Sequence, residues 1–268
     1  MAPSLHGLAR VKPRPVLSIV IPAYNEESRL APTLREALAY FRARGRSVEV
    51  IVVDDGSRDR TSALVRELSA DHEELRLIRL PKNRGKGYAV RSGVVNAVGQ
   101  YVLFADADGS TPVAELERLE AALAAGNDVA IGSRALASGD VRVEARWYRR
   151  VIGRLFHSLV TLVTVRGIRD TQCGFKLFRG PVAHELFSRA RLDRFSFDVE
   201  ILFLAQRLGH GVAEVPVNWV HQPGSRVNLV LDSLRMARDL LRIRWYAWRG
   251  AYDAPQLAPW YSAAGSSG

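Results

Sequence analysis

Two aspartates stand one residue apart at the end of an apolar run, Tyr101-Val-Leu-Phe-Ala-Asp106-Ala-Asp108-Gly109-Ser110. The run reads as a buried strand. At an extended strand end, residues i and i+2 point to the same side. Asp106 and Asp108 can therefore converge on one point, where two carboxylates suit a hard divalent cation, Mg²⁺ or Mn²⁺, that also holds phosphates. A solvated Asp-rich turn uses the same residue types. Three other apolar runs end in comparable polar loops. They are Pro22-Ala-Tyr24-Asn25-Glu26-Glu27, then Asp54-Asp55-Gly56-Ser57, then Asn83-Arg84-Gly85-Lys86-Gly87. Tyr24 can stack on a base, a carboxylate can accept from a base N–H or a ribose hydroxyl, and Arg84 and Lys86 can neutralise phosphates. Free backbone N–H groups near Gly85 and Gly87 would help them.

Such loops act together only if the chain brings them to one edge. The pattern predicts strands at 16–21, 48–53, 75–80 and 101–105, with helices at 28–44, 59–68, 87–98 and 112–125 between and after them. A short strand follows at 129–131. This alternation implies an α/β fold with a mostly parallel sheet and helices on both faces. Ligands then bind at the carboxyl ends of the strands. Beyond this point the spacing predicts an apolar helix at 148–165 carrying Arg149, Arg150 and Arg154. A strand at 175–178, a helix at 198–208 and an extended segment at 212–220 come next. A helix at 227–245 interleaves Leu and Val with Arg235, Arg238, Arg242 and Arg244, followed by Trp245, Tyr246 and Trp248. That composition suits a membrane-surface helix; a helix packed on the domain with a solvated Arg face suits it as well.

The chain has 268 residues and a net charge of +10, with only four lysines among its cations. The balance points to an anionic partner such as phosphates, nucleic acid or an acidic membrane surface. None of the usual nucleic-acid-binding motifs is present. One cysteine, Cys173, excludes an internal disulfide and reads as a small packing residue. No uncharged apolar run approaches the ~18 residues of a membrane span. The expected organisation is a disordered basic lead-in (1–15), a catalytic domain (16–225), an amphipathic helix (226–250) and a disordered tail (251–268).

The first-half motifs resemble glycosyltransferase family 2. Three second-half motifs narrow the resemblance to the dolichyl-phosphate β-glucosyltransferases. These are Asp170-Thr-Gln172-Cys-Gly174-Phe175-Lys176, Phe195-Ser-Phe197-Asp198-Val-Glu200, and Val217-Asn218-Trp219 with Pro223-Gly224-Ser225-Arg226-Val227-Asn228. The resemblance implies a Rossmann-like, A-type glycosyltransferase fold and an inverting, metal-dependent hexosyltransferase. It would move a hexose, glucose by this likeness, from a UDP-sugar to a polyprenyl or dolichyl phosphate. Carried over by position, Pro22, Tyr24, Glu26 and Asp55 surround the uridine, with Asp54 a second choice. Arg84 and Lys86 lie on the nucleotide side. Asp106 meets ribose or metal, Asp108 is the principal metal ligand and Ser110 a further one. Arg134 holds diphosphate or acceptor phosphate, Arg149 faces the acceptor phosphate, and Asp170 and Gln172 flank the sugar. Asp170 is either a base or a positioning group. Eukaryotic members of the group usually carry an N-terminal anchor; none is expected here, so attachment should be peripheral, at the cytoplasmic face of the membrane. A soluble acceptor is the alternative, and a basic nucleic-acid-binding domain a more distant one.

Overall fold

The computed structural model describes residues 15–136, 143–144, 165–222 and 229–255. Its centre is a seven-stranded sheet in the order β3-β2-β1-β4-β7-β5-β8. The first four strands are β1 (Leu17–Ala23), β2 (Val48–Asp54), β3 (Leu75–Arg79) and β4 (Tyr101–Ala105). All seven residues of β1 are buried, as are six of the seven in β2. Continuous burial of this kind marks strands covered on both faces, which parallel sheets require.

On one face lie α1 (Leu30–Ala43), α2 (Thr61–Ser69) and α4 (Leu116–Ala124). Helix α1 buries Leu30, Leu34, Leu38 and Phe41 at helical spacing, and Gly45 with φ +59° ends its last turn. On the other face lie α3 (Lys86–Val95), α5 (Gly180–Arg189), α6 (Phe197–Arg207) and α7 (Leu229–Trp248). The later strands are β5 (Val129–Ser133), β6 (Val143–Glu144), β7 (Phe175–Arg179), β8 (Val212–Pro216) and β9 (Trp219–Val220). Strand β7 runs antiparallel between β4 and β5, whereas β8 runs parallel to β5. The 170–174 loop therefore enters β7 at the same edge where β1, β2, β4 and β5 leave the sheet. A separate two-stranded pair joins β6 to β9.

The sheet follows the sequence pattern, whereas α5 is an element not expected from it, although Pro181 in its first turn and buried Val182, Ala183, Leu186 and Phe187 carry the helical signal. The tail expected to be disordered from residue 251 instead begins with a turn in which Tyr252 is buried. Its hydroxyl donates to Glu200 at 2.7 Å. The lead-in up to residue 14, residues 148–164 of the helix expected at 148–165, Arg149 among them, and the 223–228 motif lie outside the described residues. Among the described residues no helix is long and apolar enough to cross a membrane.

Candidate functional site

Parallel registry brings the ends of β1 and β2 level, Ala23 beside Asp54, and sets β4 on the other side of β1. A cleft of about 400 Å³ opens above these ends. Of the expected residues, Pro22, Tyr24, Glu26, Asp55, Lys86, Asp106 and Asp108 line it. Arg29 and Arg194, which sequence reasoning did not single out, line it too.

The walls are preformed because the loops hold one another. The Asn25 and Glu26 amides donate to Ser57 Oγ and Thr61 Oγ1, both at 2.8 Å, and Asn25 Oδ1 accepts the Arg58 amide at 2.8 Å. Asp54 is fully buried and accepts the Ser57 amide at 2.8 Å and the Ser62 hydroxyl. It secures the loop and does not line the cleft. Asp55 faces the cleft and accepts the Arg84 and Gly85 amides, each at 2.8 Å. Burial raises its carboxyl above the ordinary range, against those two hydrogen bonds.

Two amides of the glycine-rich loop already have protein partners. The Gly85 amide is spent on Asp55, and the Tyr88 amide donates to Asp193 O at 3.1 Å. Small residues are required there because the 192–194 backbone passes against them. A Cβ on Gly87 would come within 2.6 Å of Leu192 O, and one on Gly85 would collide with Asp193 O. Arg84 turns away, its guanidinium 3.7 Å from the Tyr88 ring centre and 3.6 Å from Asp193. Arg194, delivered by the segment between α5 and α6, lines the cleft instead.

Lys86, at the start of α3, reaches Asp106 Oδ1 at 2.7 Å. Burial works against its charge, but Asp106, Asp198 and Asp108 outweigh it and raise its pKa above lysine's ordinary value. The Asp106 amide donates to Gly174 O at 2.9 Å, and a side chain at 174 would strike the Asp106 carboxylate. Asp108 Oδ1 accepts the Ser110 amide at 3.0 Å, while Ser110 itself is buried outside the cleft lining. Asp106 and Asp108 are hard oxygen donors facing the cleft, a set that fits Mg²⁺ or Mn²⁺ if phosphate oxygens and water complete the shell. Among the described residues no three His, Cys, Asp or Glu side chains cluster as a self-sufficient metal site.

Beside Asp106, Arg134 leaves β5 and grips Asp170. Its Nε and Nη2 donate at 2.7 and 2.9 Å, and its amide donates at 3.0 Å. Burial alone would raise Asp170, but the Arg134 charge and hydrogen bonds outweigh it and hold the carboxyl below the ordinary range. Burial disfavours the Arg134 charge too, yet Asp170 raises the guanidinium still further above its ordinary value. The Arg134 guanidinium lies 5.4 Å from the Trp219 ring centre. Glu214 on β8 fixes this group from behind, accepting the Asp170 and Arg169 amides at 2.8 and 2.9 Å and the Ser133 hydroxyl at 2.6 Å. Gln172 Nε2 is buried without a hydrogen-bond partner among the described residues. Sequence reasoning missed Glu214, whose partners lie tens of residues away and meet only through the sheet.

The family model "Glycosyl transferase family 2" matches residues 18–187. The dolichyl-phosphate beta-glucosyltransferase of Drosophila melanogaster is 42% identical over 251 residues, covering 87% of this chain and 77% of its own length. The Homo sapiens protein of that name is 40% identical over 260 residues, covering 91% and 79%. In fold, the chain is similar to glucosyl-3-phosphoglycerate synthase from Mycobacterium tuberculosis in complex with UDP. The TM-score is 0.60 at 19% identity, over 91% of this chain and 82% of that one. A structure of that synthase with Mn²⁺, UDP and phosphoglyceric acid gives a TM-score of 0.59 at 19% identity, over 91% and 80%.

Proposed function

The chain belongs to glycosyl transferase family 2, and from that premise we propose that it transfers glucose from UDP-glucose to a dolichyl or polyprenyl phosphate with inversion. The observation that carries the reading is the juxtaposition of a cleft lined by Tyr24, Asp55, Lys86, Arg194, Asp106 and Asp108 with the Arg134–Asp170 pair one strand-end away. The names of the relatives above support both the donor sugar and the acceptor class.

Tyr24 and Asp55 take the uracil end of the donor. Lys86 and Arg194 face the diphosphate, and Asp106 and Asp108 would hold Mg²⁺ or Mn²⁺. A divalent cation there would neutralise charge on the departing diphosphate. The chain's own cations add to that neutralisation. As the bond to glucose breaks, Lys86 can shift its hydrogen bond from Asp106 to the leaving phosphate. The acceptor is a phosphate monoester with a second pKa of about 6. It is an anion at neutral pH and needs no general base. Asp170, held below the ordinary carboxylate range with Arg134 on both oxygens, is the positioning group for Arg134 and the sugar. Arg134 orients the acceptor phosphate, and the Gln172 amide supplies a donor to a sugar hydroxyl.

The acceptor lies at a bilayer surface. Helix α7 presents Leu241, Trp245 and Trp248 on one exposed ridge, flanked by Arg238, Arg244 and Arg249. An apolar ridge with basic flanks suits peripheral docking on anionic lipid at the cytoplasmic face. Arg242 is not part of that face; it bonds Asp239 at 3.1 Å and the Tyr246 hydroxyl at 2.9 Å.

Incubation with UDP-[¹⁴C]glucose, dolichyl phosphate and Mn²⁺ should move label into an organic extract, and EDTA should stop it. Label transferred only to water-soluble phosphates would overturn the acceptor. Wild-type protein should co-sediment with anionic vesicles, less so at high salt, and the Arg238, Arg244 and Arg249→Gln triple variant should stay in the supernatant.

A further inference from the structure

Arg194 and Phe195 form one wall of the cleft, yet they sit on an irregular segment, 190–196, between α5 and α6. An irregular segment keeps its shape only if something brackets it. On the inner side it rests on α3. Arg91 donates to Ala190 O at 2.9 Å and to Asp193 Oδ1 at 2.6 Å.

On the outer side the bracket is the C-terminal element. Glu200 is fully buried, and its two oxygens accept the Arg191 and Leu192 amides at 2.8–3.0 Å. The Tyr252 hydroxyl, beyond α7, donates to that same carboxylate at 2.7 Å. The Arg191 guanidinium donates to Ala251 O, its Nε at 3.0 Å. At the other end, the Ser196 hydroxyl donates to Asp239 Oδ2 of α7 at 3.0 Å, and both residues are buried.

Glu200 therefore serves two strangers in sequence at once, the wall segment and the C-terminal turn. A carboxylate buried without enough donors would be costly. Burial raises its pKa despite the three donors, so removing the Tyr252 hydroxyl leaves fewer groups to hold it as the anion that grips the two amides.

We propose that Tyr252 and Asp239 are positioning residues for the donor cleft, acting through Glu200 and Ser196 to hold Arg194 and Phe195 against the nucleotide. The C-terminal helix and its following turn are part of the donor site, as well as the element that presents the exposed aromatic ridge. Contact of that ridge with a surface is then mechanically joined to the cleft wall through two buried hydrogen bonds. The proposal rests on the UDP-sugar reading of the cleft.

The test uses the full chain and two probes, UDP alone and amide hydrogen exchange. In Tyr252→Phe and Asp239→Ala, exchange of a 190–196 peptide should rise about three- to tenfold over wild type, the factor commanded by one lost hydrogen bond. Exchange of a β1 peptide should not change. The dissociation constant for UDP and the KM for UDP-glucose should rise by a similar factor with kcat within about twofold. Asp239→Asn keeps an acceptor for Ser196 and should restore both quantities.

Exchange that stays at the wild-type value in 190–196, or rises equally in β1, would overturn the proposal. So would a fall in kcat with KM unchanged, or a failure of Asp239→Asn to rescue. If wild-type protein does not bind UDP, the donor reading fails, while the exchange comparison still decides whether Tyr252 and Asp239 hold the segment.

Discussion

Two lysine–aspartate pairs flank the same aromatic ring. Lys86 Nζ lies 5.1 Å and Lys176 Nζ 5.6 Å from the centre of Phe104. Lys176 is bound to Asp198 and to Cys173 O at 2.6 Å, and the side chains of the pair are 2% and 3% exposed. Lys86 and Asp106 are 22% and 35% exposed and open into the cleft. Identical chemistry has two uses, and solvent access separates them. A pair that water reaches can exchange partners with an incoming diphosphate. A sealed pair can only hold elements together, here β7 to α6.

The largest effect should come from breaking the sealed pair. Lys176→Met strands Asp198 in the interior, and loss of one partner of a buried pair costs about 3–5 kcal/mol. Burial already raises Asp198 above the ordinary carboxylate range against the pull of Lys176 and Lys86, so losing Lys176 moves it further toward the protonated form. Thermal melting should fall by on the order of 10 °C. Lys176→Met with Asp198→Leu should recover much of the loss; a double variant as unstable as the single one would show that packing, not charge, is at fault.

The open pair should behave oppositely. Lys86→Met leaves Asp106 facing water, and a pair with such access contributes within about 1 kcal/mol to stability. The loss should appear in turnover, on the order of 10²-fold for one electrostatic donor at a leaving group. Circular dichroism melts and initial rates on one preparation separate the two outcomes. A Lys86→Met protein that loses stability but keeps its rate would mean that Lys86 belongs with Lys176.

The same contrast explains what the sequence reveals. Asp106 and Asp108 are legible because the strand before them is continuous and local geometry aims both at one side. The strand at 175–178 is legible, but its antiparallel place between β4 and β5 is not, and so neither is the contact of Gly174 with Asp106. Arg84 is legible as a cation beside glycines, yet Tyr88 and Asp193 claim it. Arg194 takes its place because α5 and α6 return the chain to the cleft, a path that is visible only once α5 is delimited. Glu214 is hidden for a like reason: it reaches Ser133, Arg169 and Asp170 only after β8 pairs with β5.

Asp170 provides an intermediate case, since it is buried yet kept charged by its partner. Its folded pKa is lowered from the ordinary 3.8, so it contributes stability that is present above about pH 3.8 and lost as pH falls through the folded value. Asp170→Asn should cost about 2 kcal/mol at pH 7, in the range for hydrogen bonds to charged groups. The gap from wild type should narrow as pH falls below about 3.8. Turnover should fall at least about tenfold as Arg134 loses its orientation, without shifting the pH–rate profile between pH 5 and 8. A shifted limb there would restore Asp170 as a base.

The smallest expected effect concerns Cys173, which lies between the two regimes: it precedes Gly174, which packs on Asp106 of the cleft, yet it is 1% exposed. Burial, reinforced by the nearby Asp170 anion, pushes its thiol up to about 12. The thiolate is the reactive form, so at pH 8 only about one molecule in 10⁴ carries it. Iodoacetamide should label native protein far more slowly than urea-unfolded protein, and Cys173→Ala should keep its rate within about twofold. Rapid labelling of the native enzyme would mean that the 170–174 loop opens in solution. The seal around Cys173 would then be breached from the cleft side, and the sealed Lys176 pair, whose ammonium is bonded to the Cys173 carbonyl, would have to be redrawn as an open one.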